Sequence, residues 1–462
     1  MNRKFKIMIM GVGKMENNEL KRLNWNSWMF ILSYIFMGIL SGVAFDVLVT
    51  FLQEASPSTA TSFSTWMGVS TFLGAGILFI VPKLGYKKVI MVGPIVCIAS
   101  LLAIAYVKSD MIFLVATIGI LTGMTLFDVV LPPMLNAYTT PENRQKIFSR
   151  ALYTNVAGMV LATYFGGTLI VWRFSAIIGK TYSAAKALTA DVEALKAGSG
   201  ALYAAYVNAH KEVLLIFAVV CLTALIPLLF LKERKLDYKE EENKPKEEKQ
   251  KFNWSLFSNK YILAFLAYYA LVRFGASLIC PYFSVYMTKF IGLDRATASN
   301  LVSYQYFAMV IFMMASPWVV KKFGQVVALG GLSLLSIPFM LFIANGRAFG
   351  GSAALVVGIS LFLRSGLMNA ANPVMNSLPM EFVSKELRPG LNSVIFISGG
   401  VTSILAGMFT TNFLFKNPAG YGTAYYITAC VYTVSSAVLL AVCTKKYNRS
   451  HETESKDAEK IA

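Results

Sequence analysis

Long apolar runs, cut by short polar turns, follow one another along almost the whole chain. They begin near Trp28, Thr61, Val89, Met111, Ala151, Glu212, Tyr261, Ala298, Val326, Gly351, Ser393 and Tyr421. A bilayer core of about 30 Å needs about 20 apolar residues per helix, so the pattern predicts twelve membrane-spanning helices. Two stretches about 240 residues apart close their runs alike, PPMLN (Pro132 to Asn136) and NPVMN (Asn372 to Asn376), and each is followed by a charged turn. A second pair, VPKLGYKK (Val81 to Lys88) and VVKKFGQ (Val319 to Gln325), keeps nearly the same offset. A fixed long offset predicts two related halves facing each other across a pathway.

Composition agrees. Apolar residues make up 56% and charged residues 14%, against roughly 25% charged in soluble domains, and mean hydropathy is +0.59. The net charge of +18 would suit nucleic acid, but the basic residues sit in turns and tails, where they act as topology signals. With the N-terminus taken as cytoplasmic, inner turns carry Lys83, Lys87, Lys88, Arg144, Lys146, Arg150, Lys321, Lys322, Lys385 and Arg388. Outer turns carry only Lys108, Lys289, Arg295, Arg347 and Lys416. Both termini are therefore expected in the cytoplasm of a cell-membrane protein. The basic start MNRKFKIMIMGVGK lacks a small-residue cleavage site, so no signal peptide is expected, and Met15 offers an alternative start.

The expected organisation is a cytoplasmic N-terminal segment (1–27), a first six-helix bundle (28–231), a charged cytoplasmic linker (232–258), a second six-helix bundle (259–444) and a cytoplasmic tail (445–462). The linker, LKERKLDYKEEENKPKEEKQKF from Leu231, is nearly free of aliphatics and too polar to bury a core. A second long connection, Gly179 to Lys211, predicts two short surface helices over the outer mouth.

The five cysteines lie in apolar runs without metal-ligand spacing, and His210 and His451 make no metal or hydrolytic centre. There is no G-x-x-x-x-G-K-[ST] loop for ATP. No cofactor, no metal and no nucleic-acid partner is expected, and no clustered nucleophile, base or metal set supports an enzyme. A receptor would lack two matched six-span halves.

Twelve spans as six plus six, joined by a charged linker, resemble the major facilitator superfamily. That family carries roughly G-x-x-x-D-R-x-G-R-K between spans two and three. Here Lys83, Gly85 and Lys87 stand in register with Lys88 beyond, while Pro82, Leu78 and Tyr86 depart from the pattern. Lys322 and Gly324 repeat the turn between spans eight and nine. Glu142 with Arg144, and Glu381 with Arg388, follow spans four and ten. The resemblance implies an all-α integral membrane fold of two pseudo-symmetric six-helix bundles. It also implies a cytoplasmic gate at Lys83, Gly85, Lys87, Lys88, Arg144, Lys322, Gly324 and Arg388. GMVLATYFGG (Gly158 to Gly167) in span five resembles an antiporter motif of the family, with Ala162 and Thr163 in place of its Gly-Pro pair. Small residues at that spacing also serve close helix packing.

Four ionisable residues fall well inside spans: Asp46 (one), Asp128 (four), Arg273 (seven) and Arg364 (ten). A central charge costs at least about 2.5–3.5 kcal/mol on insertion scales, so each needs a cavity or a partner. In the resembled fold these four spans line the central cavity. At about 1.5 Å per residue the arginines lie roughly 18–20 Å into their spans, near the midplane. Their forked donors suit carboxylate or phosphate. Asp46 lies toward the outer end, where hydration is expected, and Asp128 toward the inner end. Ser365, Asn369, Asn372 and Asn376 recur at helical spacing within about a 60° stripe, which should face water, substrate or another helix. The expected substrate site comprises Arg273, Arg364, Asn369, Asn372, Tyr269, Tyr304, Gln305 and Asn155, with Asp128 or Asp46 for proton coupling.

The expected activity is secondary active transport, by alternating access, of a small organic solute that is anionic or amphiphilic. It is driven by H⁺, with Na⁺ as the alternative ion, in a monomer held by the lipid bilayer. Drug or metabolite efflux by H⁺ antiport is the alternative within that class.

Overall fold

The computed structural model describes residues 3–77, 80–238, 257–383 and 387–448. The parts of the expected linker and tail at 239–256 and 449–462 lie outside the described residues. Eleven helices among the described residues are long and apolar enough to cross a membrane. They are Asn18–Ala55, Tyr86–Tyr106, Asp110–Tyr138, Lys146–Ile178, Gly200–Leu229, Lys260–Ile291, Arg295–Phe323, Gln325–Ala344, Gly346–Glu381, Gly390–Leu414 and Ala419–Tyr447. The run expected from Thr61 forms the shorter helix Phe63–Ile77, and residues 78 and 79 beyond it are not described. With that helix counted as span two, the spans are numbered one to twelve in chain order.

Several boundaries differ from the sequence reading. Span one continues a helix that starts at Arg3, so the expected N-terminal segment is helical. Span six starts at Gly200 rather than near Glu212, because Ser199 accepts a hydrogen bond from Leu202 N and caps the helix about three turns before the apolar run. Span twelve runs past residue 444 to Tyr447.

Local chemistry explains other ends. Span five opens at Pro141 after a Thr140 cap whose backbone N–H donates to Asn143 Oδ1, and it stops at left-handed Gly179. Asp294 caps span eight by accepting from Thr297 N. The turns after spans two and eight are twins. Gly85 has φ 88° and ψ 162°, and Gly324 has φ 83° and ψ 163°, a conformation essentially reserved for glycine. Each is covered by a residue that follows the last span of its half. Glu233 accepts from Lys87 N at 3.0 Å, and Asn448 accepts from Val327 N at 3.0 Å.

We call the face bearing the linker and C-terminal ends of the bundles terminal, and the opposite face distal. Polar contacts joining the halves cluster on the distal side. Tyr282 donates to Thr61 O, Ser64 to Ser277 O, Thr410 to Thr61 O and Tyr421 to Gln53 Oε1. Span five also packs closely on span eight: a Cβ at Gly167 would lie 2.5 Å from Ser299 Oγ. The two expected surface helices are present as Tyr182–Leu188 and Val192–Gly198. Belonging to the first half, they grip the second. Lys186 lies 3.7 Å from Asp294, Glu193 2.8 Å from Lys289, and Thr189 Oγ1 accepts from Arg295 N. They form a strap across the distal junction.

Candidate functional site

Between the halves lies a two-lobed cavity. The lobes measure about 330 and 370 Å³ and share Phe45, Met67, Met159 and Arg273 as walls. The first lobe is lined by Arg364, Gln305, Ser365, Asn369, Asn372, Cys280 and Tyr432, among others. The second is lined by Asp128, Asn155, Tyr269, Ser41, Thr71 and Thr125, among others. Of the eight residues expected at the substrate site, seven reach this cavity. Tyr304 does not: its side chain lies on an outer face of span eight, 50% exposed and away from both lobes. Gln305, the next residue, points inward and accepts from Ser365 Oγ at 2.7 Å.

Arg364 is 3% exposed. It donates to Tyr432 Oη at 3.2 Å and toward Cys280 Sγ at 3.6 Å, and stacks over Phe283 at 5.6 Å, while its Nε has no partner. Arg273 stands on the Tyr269 ring at 6.0 Å. Neither guanidinium appears in an ion pair among the described residues, and no carboxylate lines the first lobe. Arg273 is exposed to the cavity, whereas Arg364, buried and unpaired, is a strong attractor for an anion, because its desolvation is uncompensated until one arrives. The amide stripe of span ten runs on from it: Asn369 donates to Ser365 O and Asn372 to Asn369 Oδ1, both at 2.8 Å. Asn376 lies beyond the lobes and is exposed.

Asp128 faces the second lobe and accepts from Tyr34 Oη. Its own depth holds no cation in ion-pair contact among the described residues. Asn155 donates to Tyr34 O at 3.3 Å, so Tyr34 links two wall residues of the first half.

Asp46 corrects the sequence reading. It is not a hydrated mouth residue but 0% exposed, in a five-residue π-helical segment, Ala44–Leu48. Its partner is Arg295, equally buried, with Nη1 at 2.9 Å. Ser284 and Ser299 also donate to the Asp46 carboxylate. Arg295 had counted as an ordinary basic residue of an outer turn. Its burial comes from the closed distal junction, and only its position one turn before Ser299 at a helix start hinted at that. Arg295 also belongs to the second half and Asp46 to the first, so the pair ties the halves together on the distal side of the cavity.

On the terminal face the expected gate residues keep to their own halves. Lys87 donates to Leu229 O and Leu231 O, Arg144 to Thr139 Oγ1, and Arg388 to Met380 O. Lys322 stacks on Trp318 and Phe323. Lys83 and Lys88 are exposed. Gly85 and Gly324 form the twin turns described above. The linker's first residues are more ordered than their composition suggested. Arg22 binds Asp237 at 2.7 Å, and Asn26 and Lys232 exchange two hydrogen bonds.

Two helical halves, a polar cavity between them and closure on the distal side are thus brought together by the described residues. The sequence model of the Major Facilitator Superfamily matches residues 197–406. Over that stretch the chain is similar to the superfamily. No curated protein sequence matches it significantly. Solved structures match over nearly full length. The nucleoside transporter NupG has a TM-score of 0.66 at 14% identity, covering 91% of this chain and 99% of that one. A D-xylose–proton symporter has 0.66 at 14%, covering 92% and 98%. A variant of the E. coli fucose:proton symporter FucP has 0.56 at 18%, covering 89% and 97%. At these identities the likeness shows the fold.

Proposed function

We propose that the chain moves a small organic anion, or a solute with an anionic end, across the cell membrane by alternating access coupled to H⁺. One observation carries the reading: two permanently charged guanidiniums, Arg273 and Arg364, line one central cavity without a carboxylate partner. Asp128 is the proton carrier in this reading. It faces the same cavity from the first half, held by the neutral Tyr34 hydroxyl rather than by a cation, so it is free to exchange a proton as the halves rock. Proton symporters among the similar structures support H⁺ as the ion. The terminal face is cytoplasmic in this reading, and the closed distal side makes the structure an inward-facing state.

The test uses purified protein in liposomes and a panel of radiolabelled carboxylates and phosphate esters. Arg364→Ala and Arg273→Ala should abolish binding of the transported anion while the protein still inserts. Lys replacements should rescue poorly, because one ammonium does not reproduce the planar fork. Wild-type affinity in both Ala variants overturns the anion reading.

A further inference from the structure

The polar groups of the cavity are divided by half. In the first lobe, every polar or charged wall residue comes from the second half, among them Arg273, Gln305, Arg364, Asn369, Asn372 and Tyr432. The first half contributes only Phe45, Met67 and Met159 there. A solute confined to that lobe would hold the first half by apolar contact alone. In the second lobe the first half supplies Ser41, Thr71, Thr125, Asp128 and Asn155, and Asp128 is its single ionisable wall residue. The charges are thus laid out in order: Arg364 in the first lobe, Arg273 in the wall common to both, Asp128 in the second.

A ligand moves a conformational equilibrium only by its differential affinity for the two states. A solute that drives the halves to rock must grip both. The gripping group available on the first half is a carboxylate that lacks a cation. An anion-only solute reaching past Arg273 to Asp128 would meet like charge. A solute with a cationic end would find there the partner that the protein itself does not provide. Each lobe has room for about ten waters at about 30 Å³ each, so the two ends of one elongated molecule fit separate lobes. The shared methionines adapt to its body, since thioether chains fill irregular gaps.

Resting on the anion reading above, we propose that the substrate is a zwitterion with separated charges. Its carboxylate or phosphate sits at Arg364 and Arg273, and its ammonium sits at Asp128. The molecule then bridges the two halves, which explains why both arginines lie in one half and the facing acid in the other.

The experiment is calorimetric titration of the full-length purified protein with a ladder of ω-amino carboxylates of four to ten carbons. The matching carboxylates and the matching alkylammonium ions serve as controls. Expected is one chain length that binds at least about tenfold more tightly than both of its controls, the gain of one added charge contact of about 1.4 kcal/mol. Asp128→Asn should erase that advantage and leave the plain carboxylate unaffected, and Arg364→Ala should weaken both. Elution as a single species and an unchanged melting temperature for Asp128→Asn exclude misfolding, and Thr125→Ala in the same lobe controls for loss of shape alone. If carboxylates bind as well as every ω-amino partner and Asp128→Asn changes nothing, the bridging inference fails while the anion reading stands. If only the alkylammonium ions bind, or nothing on the ladder binds to folded protein, both fail.

Discussion

Replacing Asp46 by alanine should open the distal side. In the closed state the change leaves the Arg295 guanidinium 0% exposed without its carboxylate, and its Nε and Nη2 already lack partners. Removing one member of a buried ion pair typically costs about 3–5 kcal/mol. When the halves part distally, water reaches Arg295 and most of that penalty vanishes. The cost therefore falls on the closed state alone. Other contacts across the junction persist, among them the ion pair of Lys289 with Glu54 at 2.6 Å and the Ser64 to Ser277 O hydrogen bond, and they are common to both variants. At about 1.4 kcal/mol per tenfold, a shift of the open-to-closed ratio by about a hundredfold or more is the working figure. Spin labels at Tyr106→Cys and Phe413→Cys report it. Both sites are distal, 75% and 71% exposed and on opposite halves, and the five native cysteines would be replaced. Pulsed electron-resonance distances should move to a longer population in Asp46→Ala. The double change Asp46→Leu with Arg295→Met buries no charge, so it should return toward the closed distribution. An unchanged distribution in Asp46→Ala, or a double variant as open as the single one, refutes the latch.

Three further outcomes follow from the same geometry. Asp128→Asn, neutral and similar in shape, should lose accumulation driven by a pH gradient yet keep exchange at saturating substrate; full gradient-driven transport would remove Asp128 as the coupling site. Gly85→Ala and Gly324→Ala should each cost about 1–3 kcal/mol, read as a lower melting temperature, because a Cβ would sit 2.5 Å from Glu233 Oε2 or 2.4 Å from Asn448 Oδ1; unaltered melting would mean the turns relax freely. Glu233 has its pKa raised by burial, against the opposing N–H groups of Lys87 and Tyr86. A raised acid is best tolerated protonated, so this site's stability contribution is full below the usual carboxylate range and is lost as pH rises through the raised value. Glu233→Gln should therefore gain on wild type in melting temperature more at pH 8 than at pH 5, and a gap that widens toward acid pH contradicts this.

Much of the fold was legible in the sequence because its cause is local. Twenty-residue apolar runs, turn glycines and a polar midpoint are written in order along the chain, and so are two surface helices capped by Thr181 and Asp191. The cavity positions of Arg273, Arg364, Asp128, Asn369 and Asn372 were also legible, since a charge or amide inside a span has few places to go, whereas Asn376 of the same stripe lies beyond the lobes. Asp46 and Arg295 were not. Their pairing joins residues 249 apart and exists only when the distal ends close, a relation that no spacing encodes. Tyr304 misled for a smaller reason. Neighbours on a helix face about 100° apart, so of Tyr304 and Gln305 only one could face the cavity, and the amide was the costlier to leave in lipid.

The strap and the buried pair answer to different surroundings. Glu193 and Lys186 keep 71% and 40% of their side chains in contact with solvent. Ions screen such pairs over a Debye length of about 8 Å at 0.15 M, shrinking to about 3 Å at 1 M. The Asp46–Arg295 contact lies beyond the reach of dissolved ions. The distal closure is thus a bolt in two stages, the first loosened by salinity in the adjoining medium and the second indifferent to it. A rise in salt would weaken the strap's exposed ion pairs while its buried Thr189–Arg295 anchor and the helices beneath it hold, so the cavity stays sealed on that side.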